Sequence, residues 1–183
     1  MAKTIIVGDG PGGLSAALFL AKSGHEAVVY GRDETAMHYA HLHNYLGLPD
    51  TGGTRFQEVA RAQAAGHGAV LRATGVDAVE PAGERFAVRP EDGDEEHADY
   101  IILAGAQDSH RLAEALGAER TQRGVRVDTE YRTTVDRVYA VGRAARVNRS
   151  QAIISAGAGA TAALDILARE AGKDVVDWDT PEH

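Results

Sequence analysis

Residues 4–30 narrow the fold more than any other stretch of this 183-residue chain. Thr4–Val7 is a short apolar run with β-branched residues, and Gly8-Asp9-Gly10-Pro11-Gly12-Gly13 follows without a break. Leu14–Lys22 then reads as a helix rich in small residues (Ala16, Ala17, Ala21) that ends at Ser23-Gly24. Ala27–Tyr30 reads as a second buried strand. Strand, glycine loop, helix and strand in this order make a βαβ unit, which implies a parallel sheet with a right-handed crossover. The expected class is therefore α/β, with helices flanking the sheet.

The glycine spacing adds chemistry to that frame. Gly8-x-Gly10-x-x-Gly13 is a weak pattern alone, but here it follows a strand and opens a helix. Gly8 suits a tight turn, Gly10 lets the backbone approach a pyrophosphate, and Gly13 lets helix and strand pack closely. A diphosphate would then lie at the positive end of the helix. The acid that usually ends the second strand is missing, because Tyr30-Gly31-Arg32 stands there. Glycine followed by Arg32 keeps open a 2′-phosphate and hence a small NADP-binding protein.

Beyond this unit, residues 31–50 read as irregular, and Gly52-Gly53 opens a helix reaching about residue 65. Ala69–Leu71 reads as a third strand. Val76–Val79, Arg85–Arg89 and His97–Asp99 flank turn-forming segments and predict an antiparallel β-meander. Tyr100–Leu103, Val125–Val127 and Arg137–Val141 read as further strands. Arg111–Leu116 reads as a short helix and Gln151–Ala171 as a long one.

Composition excludes several classes. With 44% hydrophobic and 25% charged residues the chain is expected to fold as a soluble domain. It has no cysteine, which removes a disulfide scaffold, a thiolate metal site, a catalytic thiol and a CxxC redox pair. No apolar run approaches the ~20 residues of a membrane span, and no leader is expected, so the expected compartment is the cytoplasm without membrane attachment. A net charge of −8 argues against nucleic acid as a partner.

Five further segments carry a family resemblance. Asn44-Tyr45-Leu46-Gly47-Leu48-Pro49 resembles the Asn-aromatic-x-Gly-x-Pro turn of thioredoxin-reductase-like flavoproteins. Val138–Arg143 resembles the strand that ends in Gly-Asp in that family, and Ser150-Gln151-Ala152 with its following helix resembles the family's Arg-Gln-Ala helix start. Leu103-Ala104-Gly105-Ala106 is similar to the Ala-Thr-Gly turn, and Gly124–Asp128 to the Gly-x-Ile-x-Val-Asp segment. The chain thus resembles the FAD domain of the pyridine nucleotide-disulfide oxidoreductases. The NAD(P)H domain and its CxxC, which the family inserts after the Ala-Thr-Gly turn, are missing here.

The resemblance implies a Rossmann-like FAD-binding domain over residues 1–173, including the antiparallel meander, with a tail over 174–183. It implies FAD cradled by Gly8, Gly10, Pro11, Gly12 and Gly13, with Gly31, Arg32 and Thr74 toward the adenosine and Asn44 by the isoalloxazine. Ala104, Gly105, Gly142, Arg143, Gln151 and Ala152 complete the implied set. Two positions depart from the pattern: Arg143 replaces an aspartate and Ser150 an arginine. The Gly-Gly-Gln-Leu stretch that precedes Asn44 in the family is also replaced, by Thr35–Leu42.

The implied activity is a single-domain flavin oxidoreductase passing electrons between NAD(P)H, as a diffusible donor, or a partner protein and an acceptor. A non-catalytic remnant that binds a nucleotide or partner is the alternative from another class. A homodimer is expected, on the argument that losing the second domain leaves apolar surface near residues 104–124. His38, His41 and His43 lie in the loop implied to border the flavin. They read as solvent-facing residues, as proton donors, or as metal ligands, the last disfavoured for want of an acid partner. Arg143, Arg146 and Arg149 form a basic cluster, read equally as a solvated face or a phosphate site.

Overall fold

The computed structural model describes residues 1–177. β1 (Lys3–Val7), α1 (Pro11–Lys22) and β2 (Glu26–Tyr30) build the opening unit, and β1 pairs with β2 in parallel. A 3-10 turn (Ala36–Tyr39) precedes a small antiparallel pair, β3 (His41–Leu42) with β4 (Thr51–Gly52). α2 (Gly53–Gly66) leads to β5 (Val70–Arg72), which extends the sheet beside β2. β6 (Val76–Ala82), β7 (Arg85–Pro90) and β8 (Glu96–Ala98) form the separate antiparallel meander. β9 (Tyr100–Leu103) then returns to the other side of β1. α3 (Gln107–Ala115), the hairpin β10 (Arg120–Thr121) and β11 (Gly124–Val125), β12 (Val138–Ala140) and α4 (Ala152–Ala171) complete the order.

The main sheet runs β12-β9-β1-β2-β5, all parallel. Strand direction of travel reverses at β1: the chain moves outward through β2 and β5, then restarts on the opposite flank with β9. In such a sheet the reversal leaves a crevice at the carboxyl ends of the two central strands. That crevice lies between Val7 and Leu103.

Alternation along the strands divides the core in two. Ile6, Val29, Ile102 and Tyr139 face a layer built from α1 and α4, where Leu14, Ala17, Leu20, Ala162, Ala163 and Ile166 are buried. Ile5, Val28, Ile101 and Val138 face the meander and α3, meeting Val79, Phe86, Val88 and Leu112. Strands covered on both faces read as continuous apolar runs, which is why the sequence shows them clearly. A third cluster of Met37, Leu42 and Ala152 seats the β3–β4 pair against the start of α4.

Side-chain ties hold the layers in register. Lys3 Nζ donates to Glu96 across 2.7 Å and the Tyr30 hydroxyl to the same carboxylate across 2.5 Å, fastening β8 to β1 and β2. Burial pushes the Glu96 carboxyl up, but the hydrogen bonds from Lys3 and Tyr30 outweigh it and hold it below the usual range. At the opposite edge Asp165 of α4 accepts from Arg132 in a two-pronged contact and from the Tyr139 hydroxyl at 2.6 Å.

Four sequence expectations need correction. α1 begins at Pro11 and not Leu14, because proline fits the first helical position, where no amide bond is needed. α3 begins at Gln107 and not Arg111, since Ser109 is drawn inward: its hydroxyl accepts from the Gly105 amide at 2.8 Å. Val125–Val127 does not join the main sheet; only Val125 is in a strand, the two-residue β11, which pairs with β10 alone. α4 is apolar enough in length and composition to cross a membrane; here one face of it, with Ala158, Ala162, Ala163, Ile166 and Leu167, packs into the core with α1 and the sheet. Asp174–Asp177 has no regular structure, and residues 178–183 of the expected tail lie outside the described residues.

Candidate functional site

A cleft of about 610 Å³ opens at the carboxyl ends of β1 and β9. Its floor is backbone: Gly8, Gly10, Gly12, Gly31, Gly75, Gly105 and Gly142 all line it. Gly8 has φ +112°, and a Cβ there would fall 2.5 Å from the Gly105 amide nitrogen. The two strand-end turns thus pass too closely for any side chain. Gly13 is equally constrained, since its Cβ would lie 1.9 Å from the Gly8 carbonyl oxygen. Both match the reasons read from the sequence.

Pro11 and Gly12 line the cleft in the first turn of α1, whose cap Gly10 offers no side-chain bond. The first amides of that helix therefore keep their donors free for a ligand. Across the cleft Ala104, Gly105, Gly142 and Arg143 form the facing wall. Arg143 is exposed and has no ion-pair partner among the described residues. At the far end stand Ser150 and Ser155, where α4 begins on an uncapped Gln151.

Placement of the remaining expected residues is uneven. Arg32 lines the cleft, but its guanidinium is paired with the Glu91 carboxylate from the loop after β7. Thr74 donates to Asp92 across 3.4 Å, while its neighbours Gly75 and Val76 do the lining. Asn44 Nδ2 reaches Gln151 Oε1 at 3.4 Å, and neither residue lines the cleft. Ala152 is buried against Met37 and Leu42.

None of His38, His41 and His43 lines the cleft; His110 does, with a ring nitrogen 3.1 Å from the Ala144 carbonyl. His38 is held between the Asp33 carbonyl at 2.8 Å and Thr54 at 3.2 Å. His41 and His43 both contact Asp50 Oδ1, at 2.7 and 2.9 Å, with their rings stacked. The missing acid partner is thus present: pairing of His41 with Gly52 and Leu42 with Thr51 brings the next residues, His43 and Asp50, opposite each other. Residues separated in sequence by a hairpin of unknown register gave no such signal.

Sequence reasoning also missed Asp9. Its carboxylate accepts from the Asp33 amide at 2.9 Å and from Arg61 of α2, and its carbonyl accepts from the buried Gln57 at 2.6 Å. Gln57 and Arg61 are four apart and so share one helix face. That face holds the glycine loop from beneath. Gln107, Asp108 and His110 of α3, which also line the cleft, were likewise unread.

Residues 48–163 match the pyridine nucleotide-disulphide oxidoreductase family, more than half of the chain. The chain belongs to that family. Among solved structures it is similar to the thioredoxin reductase from Gloeobacter violaceus, at 17% identity over 99% of both chains with a TM-score of 0.85. It is similar to the atypical thioredoxin reductase TRi from Desulfovibrio vulgaris Hildenborough, at 18% identity over 92% of this chain and 97% of that one, with a TM-score of 0.83. The T. acidophilum thioredoxin reductase aligns at 16% identity over 93% and 99%, with a TM-score of 0.79. At such identities the likeness is one of fold, the Rossmann-like architecture of a parallel sheet flanked by helices. No curated protein matches the chain. Within this pyridine nucleotide-disulphide oxidoreductase fold, residues 104–137 hold only α3 and the β10–β11 hairpin between β9 and β12.

Proposed function

We propose that the chain is a single-domain FAD-binding oxidoreductase that works without a disulfide centre. The observation that carries this reading is the glycine-floored cleft at the sheet's reversal point, open to the free amides of α1. Its residues suit the cofactor: backbone donors and Arg143 for the diphosphate, Gly31, Gly75 and Val76 for the adenosine, and Ser150 with the uncapped start of α4 toward the ring. FAD, when bound, supplies two-electron chemistry at its isoalloxazine ring. The chain's own part is to hold the diphosphate, orient the ring and favour negative charge in front of α4 through the helix dipole. With no cysteine to relay electrons, the donor is NAD(P)H or a partner protein and the acceptor a small molecule or protein.

The NADP-binding reading is disfavoured by Glu91, whose carboxylate neutralises Arg32 and would repel a 2′-phosphate. The remnant reading is favoured by Arg143, which donates but cannot accept the hydrogen bond of a ribityl hydroxyl. Denaturing the purified protein and identifying the released ligand separates the three. A yellow protein absorbing near ~450 nm that releases FAD is expected. A colourless protein that FAD does not stabilise against heat overturns the flavin reading, and stabilisation by NADPH alone selects NADP. We also propose a homodimer in the cytoplasm. The surface expected at residues 104–124 does not serve, since no large apolar side chain is exposed there among the described residues. Ile153 and Ile154 in the first turn of α4, with Val147 before it, supply exposed apolar area instead.

A further inference from the structure

A second cavity of about 470 Å³ lies behind the segment that closes the first. Residues 142–150 act as a partition. Arg143, Val147 and Ser150 face the glycine cleft, whereas Ala145, Arg146, Asn148 and Arg149 face the second cavity. The opposite wall is the β10–β11 hairpin and the residues after it, Thr121, Arg123, Val125, Arg126 and Val127. No acidic residue is among the lining side chains, in a chain whose net charge is −8.

Backbone bonds hold these walls together. Val125 donates to the Ala144 carbonyl at 2.8 Å and Val147 to the Arg123 carbonyl at 2.9 Å, so the hairpin and the partition form one bonded layer. Gly124 makes the approach feasible, at φ +135° and with its Cβ position only 2.5 Å from the Ala144 carbonyl oxygen. Of the arginines, Arg126 is neutralised by Glu119 at 2.7 Å. Arg123, Arg146 and Arg149 have no ion-pair partner among the described residues. Cations converging on one concavity repel each other unless an anion joins them. Arginine is the side chain suited to bind a phosphate with two parallel bonds.

We propose that this cavity binds a soluble nucleotide through its diphosphate, held by Arg123, Arg146 and Arg149. Val125, Val127 and Ala145 supply an apolar wall for a flat ring, and the volume falls within the ~300–1,000 Å³ of small-molecule sites. The site is separate from the flavin cleft in its residues and shares with it only the partition. If the flavin reading holds, a nucleotide donor seated here would stand across residues 145–149 from the end of that cleft.

The test is calorimetric titration of pyrophosphate and ADP into the FAD-saturated protein, with adenosine as the uncharged probe. Pyrophosphate and ADP are expected to bind and adenosine at least tenfold more weakly. The double variant Arg146→Gln/Arg149→Gln is expected to weaken both anions at least tenfold, while Arg55→Gln, on the exposed face of α2 and lining neither cavity, leaves them within twofold. Undiminished binding by the double variant, or adenosine binding as tightly as ADP, overturns the proposal. If FAD does not bind, the flavin reading fails alone, and the same comparison of variants, made without FAD, still decides this one. Circular dichroism of the variants checks that the fold is kept, and Arg123→Gln repeats the comparison should the double variant not fold.

Discussion

Arg143 stands at the end of β12 where the family pattern has an aspartate, and its side chain is exposed on the cleft wall. A guanidinium there faces the free amides of α1 across the space proposed for a diphosphate, and joins them as a donor. Arg143→Asp would remove that donor and set a like charge beside the diphosphate. The variant is expected to bind FAD about 10- to 100-fold more weakly, the ~1.5–3 kcal/mol of a charge-assisted hydrogen bond. Titrating FAD into both proteins measures it, and tighter binding by the aspartate variant would mean that the arginine spoils the site. Such a departure is legible in sequence because it falls inside a motif. Asp9 was not legible, because nothing local marks a loop carboxylate for an arginine 52 positions away.

At the scale of elements, α4 is fixed to the sheet edge by Asp165. Burial pushes its carboxyl up, but the hydrogen bonds of Arg132 and Tyr139 and the charge of Arg169 outweigh this and hold it below the usual range. A carboxyl with a depressed folded value adds stability that is complete above its unfolded value of ~3.9 and is lost as pH falls through the folded one. Asp165→Asn is therefore expected to cost about 1.5–3 kcal/mol at pH 7. Its deficit against the parent should shrink steadily below about pH 4. Urea unfolding at neutral and acid pH reads this directly, and a deficit independent of pH would show that the contact acts through packing and not charge. The helix itself was plain from its small-residue pattern. Its anchoring was not, since Arg132 lies in an irregular segment with no periodicity to place it.

For the molecule as a whole, the proposed homodimer predicts a two-chain mass by light scattering at tens of micromolar. Replacing Ile153 and Ile154 by serine is expected to yield monomers with unchanged thermal stability; a parent protein that is monomeric throughout ends the idea. The sequence alone determined the βαβ opening, the parallel sheet, the meander and the glycine loop. Each rests on short-range rules: apolar runs buried on both faces, turn glycines, and spacings within a single element. The family frame was legible too, from motifs at strand ends and helix starts. Only the tertiary structure decided which charges meet. It neutralised Arg32 with Glu91, gave Asp50 to His41 and His43, and left Arg123, Arg146 and Arg149 together around a cavity. Side-chain pairing across a fold depends on register and on the distance between elements remote in sequence. No local pattern encodes either, so the chemistry of the cleft's rim emerged only when the strands had been set side by side.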